Sequence, residues 1–490
     1  MNEPEQPPSP AWVRSQAISG VRWISLASAV RIAAQFAQVA ILARILSPSD
    51  FGNMAVVIAF TTIAQIFADM GVSNALFSRG EIAAHRLSSL YWLNVAAGAG
   101  VALLLAAAGP AAASFYSEPA LQPLLAMAAL YLFVNATCQQ LRVLAEKDLR
   151  FRLLAAIEIA ASLVGLAVAV LLALRGAGVY SLMEGLLASA AVGAVLVWTL
   201  LARGWRPQLR LRLGEIREFL EFGGYMMGNN LANAASSQID VVFGARILGA
   251  APIGLYSMPK NLCLQVIGMV NPVVTRVGLP LMARSQSDPA LLKAVYLKTI
   301  GMTASANVPI FAALAVFAPE VVRLVFGLQW VEAIPLLQIF AAWGLMRSTV
   351  NPIGSLLLAC GRAELMFRWN VAWLLVCIPA VLAGSRLGVG ALAATLAGIA
   401  LAAMFANWYF LVRPLSAARF AEYFRQIALP CTICAAAAPA GYLAALPFAA
   451  DWTRLAAGLG CGAAAYVALS YVFNRDWLST ALELLDLKRT

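Results

Sequence analysis

Four of the five cationic side chains inside the long apolar stretches of this 490-residue sequence are candidates for function, because a charge there is costly unless it faces water or a partner. They are Arg31, Lys260, Arg276 and Arg347. An arginine can hold two oxygens of a phosphate at once, and a lysine can neutralise one such charge. A cavity that collected these side chains would suit an anionic group such as a phosphate or diphosphate. The alternative is structural, with the side chains reaching to the membrane interface or tying helices together.

Amide side chains accompany these cations. Arg31 stands eleven residues into the first apolar stretch, about 17 Å deep at the rise of a helix, and two glutamines share its helix face. In three later stretches an asparagine shares a face with a charged residue, at spacings of seven, eleven and four residues. The amides predicted to line the cavity are Gln35, Gln38, Asn233, Asn271 and Asn351.

Four acids lie in or beside the same stretches and could bind a proton or Na⁺, or could simply neutralise nearby cations. They are Asp240, Asp69, Glu158 and Glu184, of which Asp240 is favoured because it continues the polar face of Asn233. The sequence contains no HExxH, GxxxxGK[ST] or dinucleotide-binding motif. We therefore expect no catalytic residues, no metal and no organic cofactor, with H⁺ or Na⁺ as a possible coupling ion.

The elements that carry these residues are predicted from hydropathy. The chain is 62% hydrophobic and 12% charged, and its apolar stretches run for about 20–25 residues, enough to cross a hydrocarbon core as a helix. The regular ten-residue alternation of a membrane β-barrel is missing. The sequence predicts an all-α, polytopic membrane protein with about 14 transmembrane helices.

The loops predict the orientation of these helices. Of the 34 lysines and arginines, 23 fall in the alternate segments that include both termini, and six fall in the opposite loops. Basic residues in short loops remain cytoplasmic, so both termini are predicted to lie in the cytoplasm. The net charge of +11 then indicates attraction to anionic membrane lipids, and no nucleic-acid partner is needed to explain it.

An internal repeat predicts how the helices are grouped. The run ARIL occurs at 43–46 and again at 245–248, and a glycine follows at the same distance in each case, at Gly52 and Gly254. A spacing of 202 residues, close to half the chain, is typical of a transporter built from two related lobes. We predict two pseudo-symmetric six-helix lobes at 1–214 and 215–417, followed by two terminal helices and a cytoplasmic tail at 418–490.

Three segments carry a resemblance to a known family. They are LARILSPSDFGNMAV (42–56), FADMGVSNAL (67–76) and GARILGAAPIGLYSMPKNL (244–262). They resemble the polysaccharide transporter, or Wzx-type flippase, family, whose superfamily also holds the MATE multidrug exporters and the lipid II flippase MurJ. The resemblance implies a protein of the bacterial inner membrane that turns undecaprenyl-diphosphate-linked oligosaccharide units from the inner to the outer leaflet by alternating access. Such units supply exopolysaccharide, capsule or O-antigen, and a polymerase and a chain-length regulator are partners by analogy.

Other functions stay open at this stage. A lipid II flippase is an alternative because MurJ also has fourteen helices and a cationic cavity. A MATE-like drug or cation antiporter is a weaker alternative, because the first apolar stretch contains no acid. A membrane glycosyltransferase or polymerase is disfavoured because no outer loop exceeds about fifteen residues, which leaves little room for chemistry outside the membrane.

Overall fold

The computed structural model describes residues 10–69, 84–202, 207–208, 212, 217–475 and 477–479. Within these ranges the chain forms fourteen long helical segments and no β-strand. The first seven are α1 (Pro10–Leu42), α2 (Pro48–Asp69), α3 (Ala84–Tyr116), α4 (Leu121–Lys147), α5 (Phe151–Leu174), α6 (Tyr180–Leu200) and α7 (Arg217–Leu248). The others are α8 (Ala250–Arg284), α9 (Pro289–Val316), α10 (Ile334–Val350, continued by Pro352–Ala359), α11 (Ala363–Arg386), α12 (Val389–Asn407), α13 (Phe420–Ala445) and α14 (Asp451–Phe473).

Twelve of these segments are long and apolar enough to cross a membrane. A shorter apolar helix, Leu26–Leu42, lies within α1. The predicted all-α, multi-pass membrane architecture is therefore confirmed. The count of fourteen membrane crossings stays a prediction.

The chain divides into two compact units, Met1–Gln238 and Ile239–Thr490. Within the first unit α3 packs on α4, α5 on α6, α4 on α6, and α2 on both α3 and α4. Within the second unit the helices six places later in the chain repeat all five of these pairings. The repeat seen in the letters is thus also a repeat of helix packing. The predicted lobe boundary at 214/215 lies outside the described residues.

The repeated segments share a local role, which is to begin a new helix. Ser47 precedes α2, where its backbone N–H and hydroxyl donate to Asp50 at 2.9 and 2.7 Å while the Asp50 N–H donates back to the Ser47 hydroxyl at 3.3 Å. Pro48 fits the first helical position, where no backbone donor is required. Gly249 lies 202 residues after Ser47 and directly precedes α8, with φ of 89°, a conformation that suits glycine. Each device allows the chain to leave one long helix and start the next.

The last two helices belong to the second unit. α13 packs on α14 and on α9, and three ion pairs join this pair of helices to the rest of the unit. They are Arg323–Asp451 at 2.9 Å, Glu320–Arg454 at 3.4 Å and Lys293–Glu422 at 2.7 Å. The segment predicted as a separate addition at 418–490 therefore packs on α9 through its helices α13 and α14.

Small residues allow close helix packing in the first unit. A Cβ atom added at Gly185 of α6 would lie 2.6 Å from the Ala169 Cβ and 2.9 Å from the Gly165 carbonyl oxygen, both on α5. Helices in membranes associate through such close backbone approach, because lipid leaves little hydrophobic drive between them. The α5–α6 contact thus depends on the absence of a side chain at Gly185.

Candidate functional site

The second unit contains a buried charge cluster, formed by Asp240 of α7 with Tyr256 and Lys260 of α8. The Lys260 ammonium lies 2.6 and 2.8 Å from the two carboxylate oxygens of Asp240, and the Tyr256 hydroxyl donates to the same carboxylate. The side chains of Lys260 and Asp240 are only 5% and 2% exposed. Two opposite charges in such a place balance one another, whereas either alone would carry a large desolvation cost.

Local sequence explains how the cluster forms. Gly249 breaks the helix between α7 and α8, so that residues on either side of the break can face one another. Tyr256 and Lys260 are four residues apart and therefore lie on one face of α8. Both side chains meet the single carboxylate of Asp240.

A row of aromatic rings leads from this cluster to Arg347. Tyr256 packs edge-on against Phe340 of α10 at 4.9 Å between centroids, and Phe340 packs in the same way against Trp343 at 5.7 Å. The guanidinium carbon of Arg347 lies 5.4 Å from the centre of the Trp343 ring, within the range of a cation–π contact. Arg347 also interacts electrostatically with Asp240 and Lys260.

Arg347 differs from Lys260 in its exposure. Lys260 is 4% exposed, whereas Arg347 is exposed on α10, a helix within one of the twelve candidate spans. Since Lys260 and Asp240 balance one another, the guanidinium of Arg347 supplies the accessible positive charge beside the cluster. Its planar group suits the oxygens of a phosphate.

A second polar group, the asparagine network, lies among α8, α9 and α10. Asn307 donates to the side-chain oxygen of Asn271 at 3.0 Å, and Asn271 donates to the backbone carbonyl of Ser348 at 3.1 Å. All three residues are buried. The network therefore reaches the residue that follows Arg347 in the chain.

The remaining predicted residues of the second unit are separate from these groups. Arg276 is exposed on α8, and Asn351 is exposed at the break that interrupts α10. Lys260, which we expected in a cationic cavity, has its charge balanced by Asp240. The structure thus places Asp240, Lys260 and Arg347 together and joins Asn271 to the backbone beside Arg347.

The predicted residues of the first unit lie on accessible helix surfaces. Arg31 and Gln35 are exposed on α1, and Gln38 is half-buried there. Asn233 is exposed on the part of α7 that belongs to this unit, and Glu158 is exposed on α5. Asp69 ends α2, and its side chain lies outside the described residues.

Sequence reasoning missed Tyr256, Trp343 and Asn307. The sequence contained a signal for the first two, because each lies four residues before a cation predicted to line the cavity, on the same helix face. Asn307 offered no comparable signal. Its role depends on the packing of α9 against α8 and α10.

Comparison with known proteins identifies the family. The polysaccharide biosynthesis protein family matches residues 41–335, which is more than half of the chain. The lipopolysaccharide biosynthesis protein WzxC of Escherichia coli (strain K12) is 30% identical over 420 residues, covering 85% of both chains. The chain belongs to the polysaccharide biosynthesis protein family. The predicted Wzx-type family is thereby confirmed.

A further relative and two solved structures are also similar to this chain. The succinoglycan biosynthesis transport protein ExoT of Rhizobium meliloti (strain 1021) is 26% identical, covering 71% of this chain and 70% of its own. Among solved structures, the lipid II flippase MurJ in an inward closed conformation aligns with a TM-score of 0.72 at 11% identity, covering 93% of this chain and 99% of its own. An inward-facing MATE multidrug transporter aligns at 0.55 and 13% identity, covering 81% and 98%. The structural likenesses show that this family member shares the MurJ and MATE fold.

Proposed function

We propose that this protein is a flippase that carries undecaprenyl-diphosphate-linked oligosaccharide repeat units across the bacterial inner membrane, for exopolysaccharide, capsule or O-antigen synthesis. The observation that carries the proposal is the similarity, over 85% of both chains, to a protein named for lipopolysaccharide biosynthesis. A relative named as a succinoglycan transport protein supports transport as the activity. On this proposal the protein moves its cargo by alternating access and makes no covalent bond.

Arg347 is proposed to bind the diphosphate. It is exposed within a membrane-spanning helix, the Asp240 carboxylate in its vicinity is already paired with Lys260, and the Trp343 ring lies against its guanidinium. Cargo that carries two phosphates requires such a cation, since an anion within the membrane is otherwise costly. Arg31 is proposed as a second cation that meets the cargo.

The lipid part of the cargo is hydrocarbon. An apolar cavity of about 570 Å³ lies among α9, α13 and α14, lined by residues such as Ile310, Ala437, Gly441, Leu459 and Val467. A lining of this kind accepts a hydrocarbon chain without stranding a polar group. The cavity supports a cargo with a long apolar tail.

Glycolipid analysis of a deletion strain tests the function. With the polymerase intact, loss of this protein should cause lipid-linked repeat units to accumulate in the inner leaflet, and the intact gene should clear them. Arg347→Ala should fail to clear them, and Arg347→Lys should recover part of the activity, because lysine retains the charge but not the bidentate geometry. Arg386→Ala is the matched control, since Arg386 is exposed at the last residue of α11.

Two outcomes would refute the proposal. Normal surface polysaccharide with no accumulated repeat units would exclude this cargo. Accumulation of lipid II instead would favour the alternative to which the MurJ fold corresponds. Full activity of Arg347→Ala would reject the proposed role of that residue alone.

Coupling to a proton or Na⁺ gradient is proposed to involve Asp240. Opening of its ion pair with Lys260 would leave one acid and one cation unpaired inside the membrane. A proton or Na⁺ from either side of the membrane could then replace the Lys260 ammonium at the Asp240 carboxylate. Asp240→Asn should leave transport that no longer depends on the gradient, measured with ionophores in vesicles. Unchanged gradient dependence would assign Asp240 a structural role. The inner-membrane location, the cytoplasmic termini and contact with a polymerase and a chain-length regulator belong to the same proposal.

A further inference from the structure

Prolines in α9 and α10 each deprive a backbone carbonyl of its helical partner. In a helix the carbonyl of one residue accepts from the N–H four residues later, and proline has no N–H to donate. Pro309, inside α9, therefore leaves the carbonyl of Ser305 without this bond. Pro352, which begins the continuation of α10, does the same to the carbonyl of Ser348. A buried carbonyl without a partner is destabilising.

Each of these two carbonyls accepts a hydrogen bond from a side chain on another helix. Asn271 of α8 donates to the Ser348 carbonyl at 3.1 Å, and the hydroxyl of Tyr466 of α14 donates to the Ser305 carbonyl at 2.9 Å. All four residues are buried. Ser348 also accepts from the N–H of Asn351 at 3.3 Å, within its own turn.

The donors are held in the orientation that this bond requires. Asn307 donates to the side-chain oxygen of Asn271 at 3.0 Å, so the amide nitrogen of Asn271 faces Ser348. The Tyr466 ring packs edge-on against Trp477 at 6.0 Å. Each donor is thus fixed by a second contact, and little side-chain freedom is lost when the carbonyl is bound.

We propose that Asn271 is a positioning residue for Arg347, acting through the Ser348 carbonyl, which Pro352 deprives of its helical donor four residues later. Ser348 follows Arg347 in the last turn of the first segment of α10 (Ile334–Val350), so the hydrogen bond from Asn271 sets the path of that turn and the place of the guanidinium over Trp343. Tyr466 acts in the same way in α9, where it donates to the Ser305 carbonyl that Pro309 deprives of its helical donor. The part of this inference that concerns cargo rests on the proposed function of Arg347.

A crossed rescue experiment tests the inference. Asn271→Ala should lower the midpoint of thermal unfolding in detergent and reduce transport about tenfold, equivalent to about 1.4 kcal/mol. Pro352→Ala restores an N–H to residue 352, so the double variant Asn271→Ala/Pro352→Ala should recover most of both losses. Tyr466→Phe should be rescued by Pro309→Ala. Neither proline substitution should rescue the donor variant of the other helix.

Thermal unfolding and cargo binding are measured in separate experiments. The unfolding midpoint of purified protein needs no cargo, so it tests the hydrogen-bond pairing even where the proposed function fails. Binding of undecaprenyl diphosphate in detergent micelles tests positioning, and Asn271→Ala should add no further loss to that of Arg347→Ala, since the two act as one unit. If Asn271→Ala does not fold, folding should return with Pro352→Ala.

Three results would overturn the inference. They are rescue of each donor variant by both proline substitutions alike, rescue of the donor variants by neither proline substitution, and additive losses of binding in the Asn271→Ala/Arg347→Ala double variant. The first would mean that proline removal stabilises the protein in general. The second would mean that the side chains do not replace the missing bonds. The third would separate Asn271 from Arg347.

Discussion

Removal of one partner from the Asp240–Lys260 pair should destabilise the protein far more than removal of both. The charged atoms lie 2.6 Å apart, so at an effective dielectric of about 20 they attract by about 6 kcal/mol. That attraction is offset by several kcal/mol for each ion taken out of water. The intact pair therefore adds little net stability, but a single unpaired charge should cost about 3–5 kcal/mol.

The two single substitutions should differ. Asp240→Leu leaves Lys260 buried next to a second cation, Arg347, with which it interacts unfavourably. Lys260→Met leaves Asp240 with the hydroxyl of Tyr256 and with Arg347 nearby. Asp240→Leu should therefore be the more damaging change, and the double variant should lie within about 1 kcal/mol of the unmodified protein.

The assay is the free energy of unfolding of purified protein in mixed micelles. A matched control is the Arg368–Glu364 pair, which has the same 2.6 Å separation but side chains 72% and 76% exposed. Arg368→Met should change stability by at most about 0.5 kcal/mol, since exposed pairs contribute little. Equal effects of Lys260→Met and Arg368→Met, or a double variant as unstable as Asp240→Leu, would refute the reasoning.

Further predictions concern packing and helix caps. Gly185→Val should lower the yield of folded protein severalfold, because the new side chain would collide with Ala169 on α5. Gly100→Val is the control and should not lower the yield, since nothing lies within 4 Å of the added Cβ. Size-exclusion chromatography of a fluorescent fusion measures both yields, and equal yields would contradict the packing argument. Asp288→Ala should cost about 1 kcal/mol of unfolding free energy, because the Asp288 carboxylate accepts two backbone N–H groups at the start of α9 at 2.9 and 3.2 Å. Ser287→Ala, at the exposed neighbouring position, is its control. An equal loss of unfolding free energy in Ser287→Ala would show that the helix cap is not the cause.

The fold that this chain shares with MurJ and MATE proteins does not by itself determine the cargo. Identities of 11% and 13% accompany a shared arrangement of helices, so one fold serves proteins titled as a lipid II flippase and as a multidrug transporter. Cargo must therefore be argued from particular side chains. In the second unit the relevant side chains are the exposed Arg347 and the apolar residues that line the cavity beside α13 and α14.

The sequence alone determined the membrane class, the helical elements, the repeat and the family. Each depends on properties that neighbouring residues share along the chain, such as runs of apolar side chains or the Ser47–Asp50 helix start. A helix long enough to cross a membrane must satisfy its backbone internally whatever surrounds it, so its presence can be predicted without knowledge of its neighbours.

Only the tertiary structure decided what the intramembrane charges do. Lys260 and Arg347 are both cations in apolar stretches, and nothing in their local sequence distinguishes them. Lys260 is bonded to a carboxylate 20 residues away, and Asn271 to a carbonyl 77 residues away, whereas Arg347 stays exposed. The physical reason is that the cost of a buried charge or carbonyl depends on the partner within about 3 Å, and helix packing rather than sequence spacing supplies that partner.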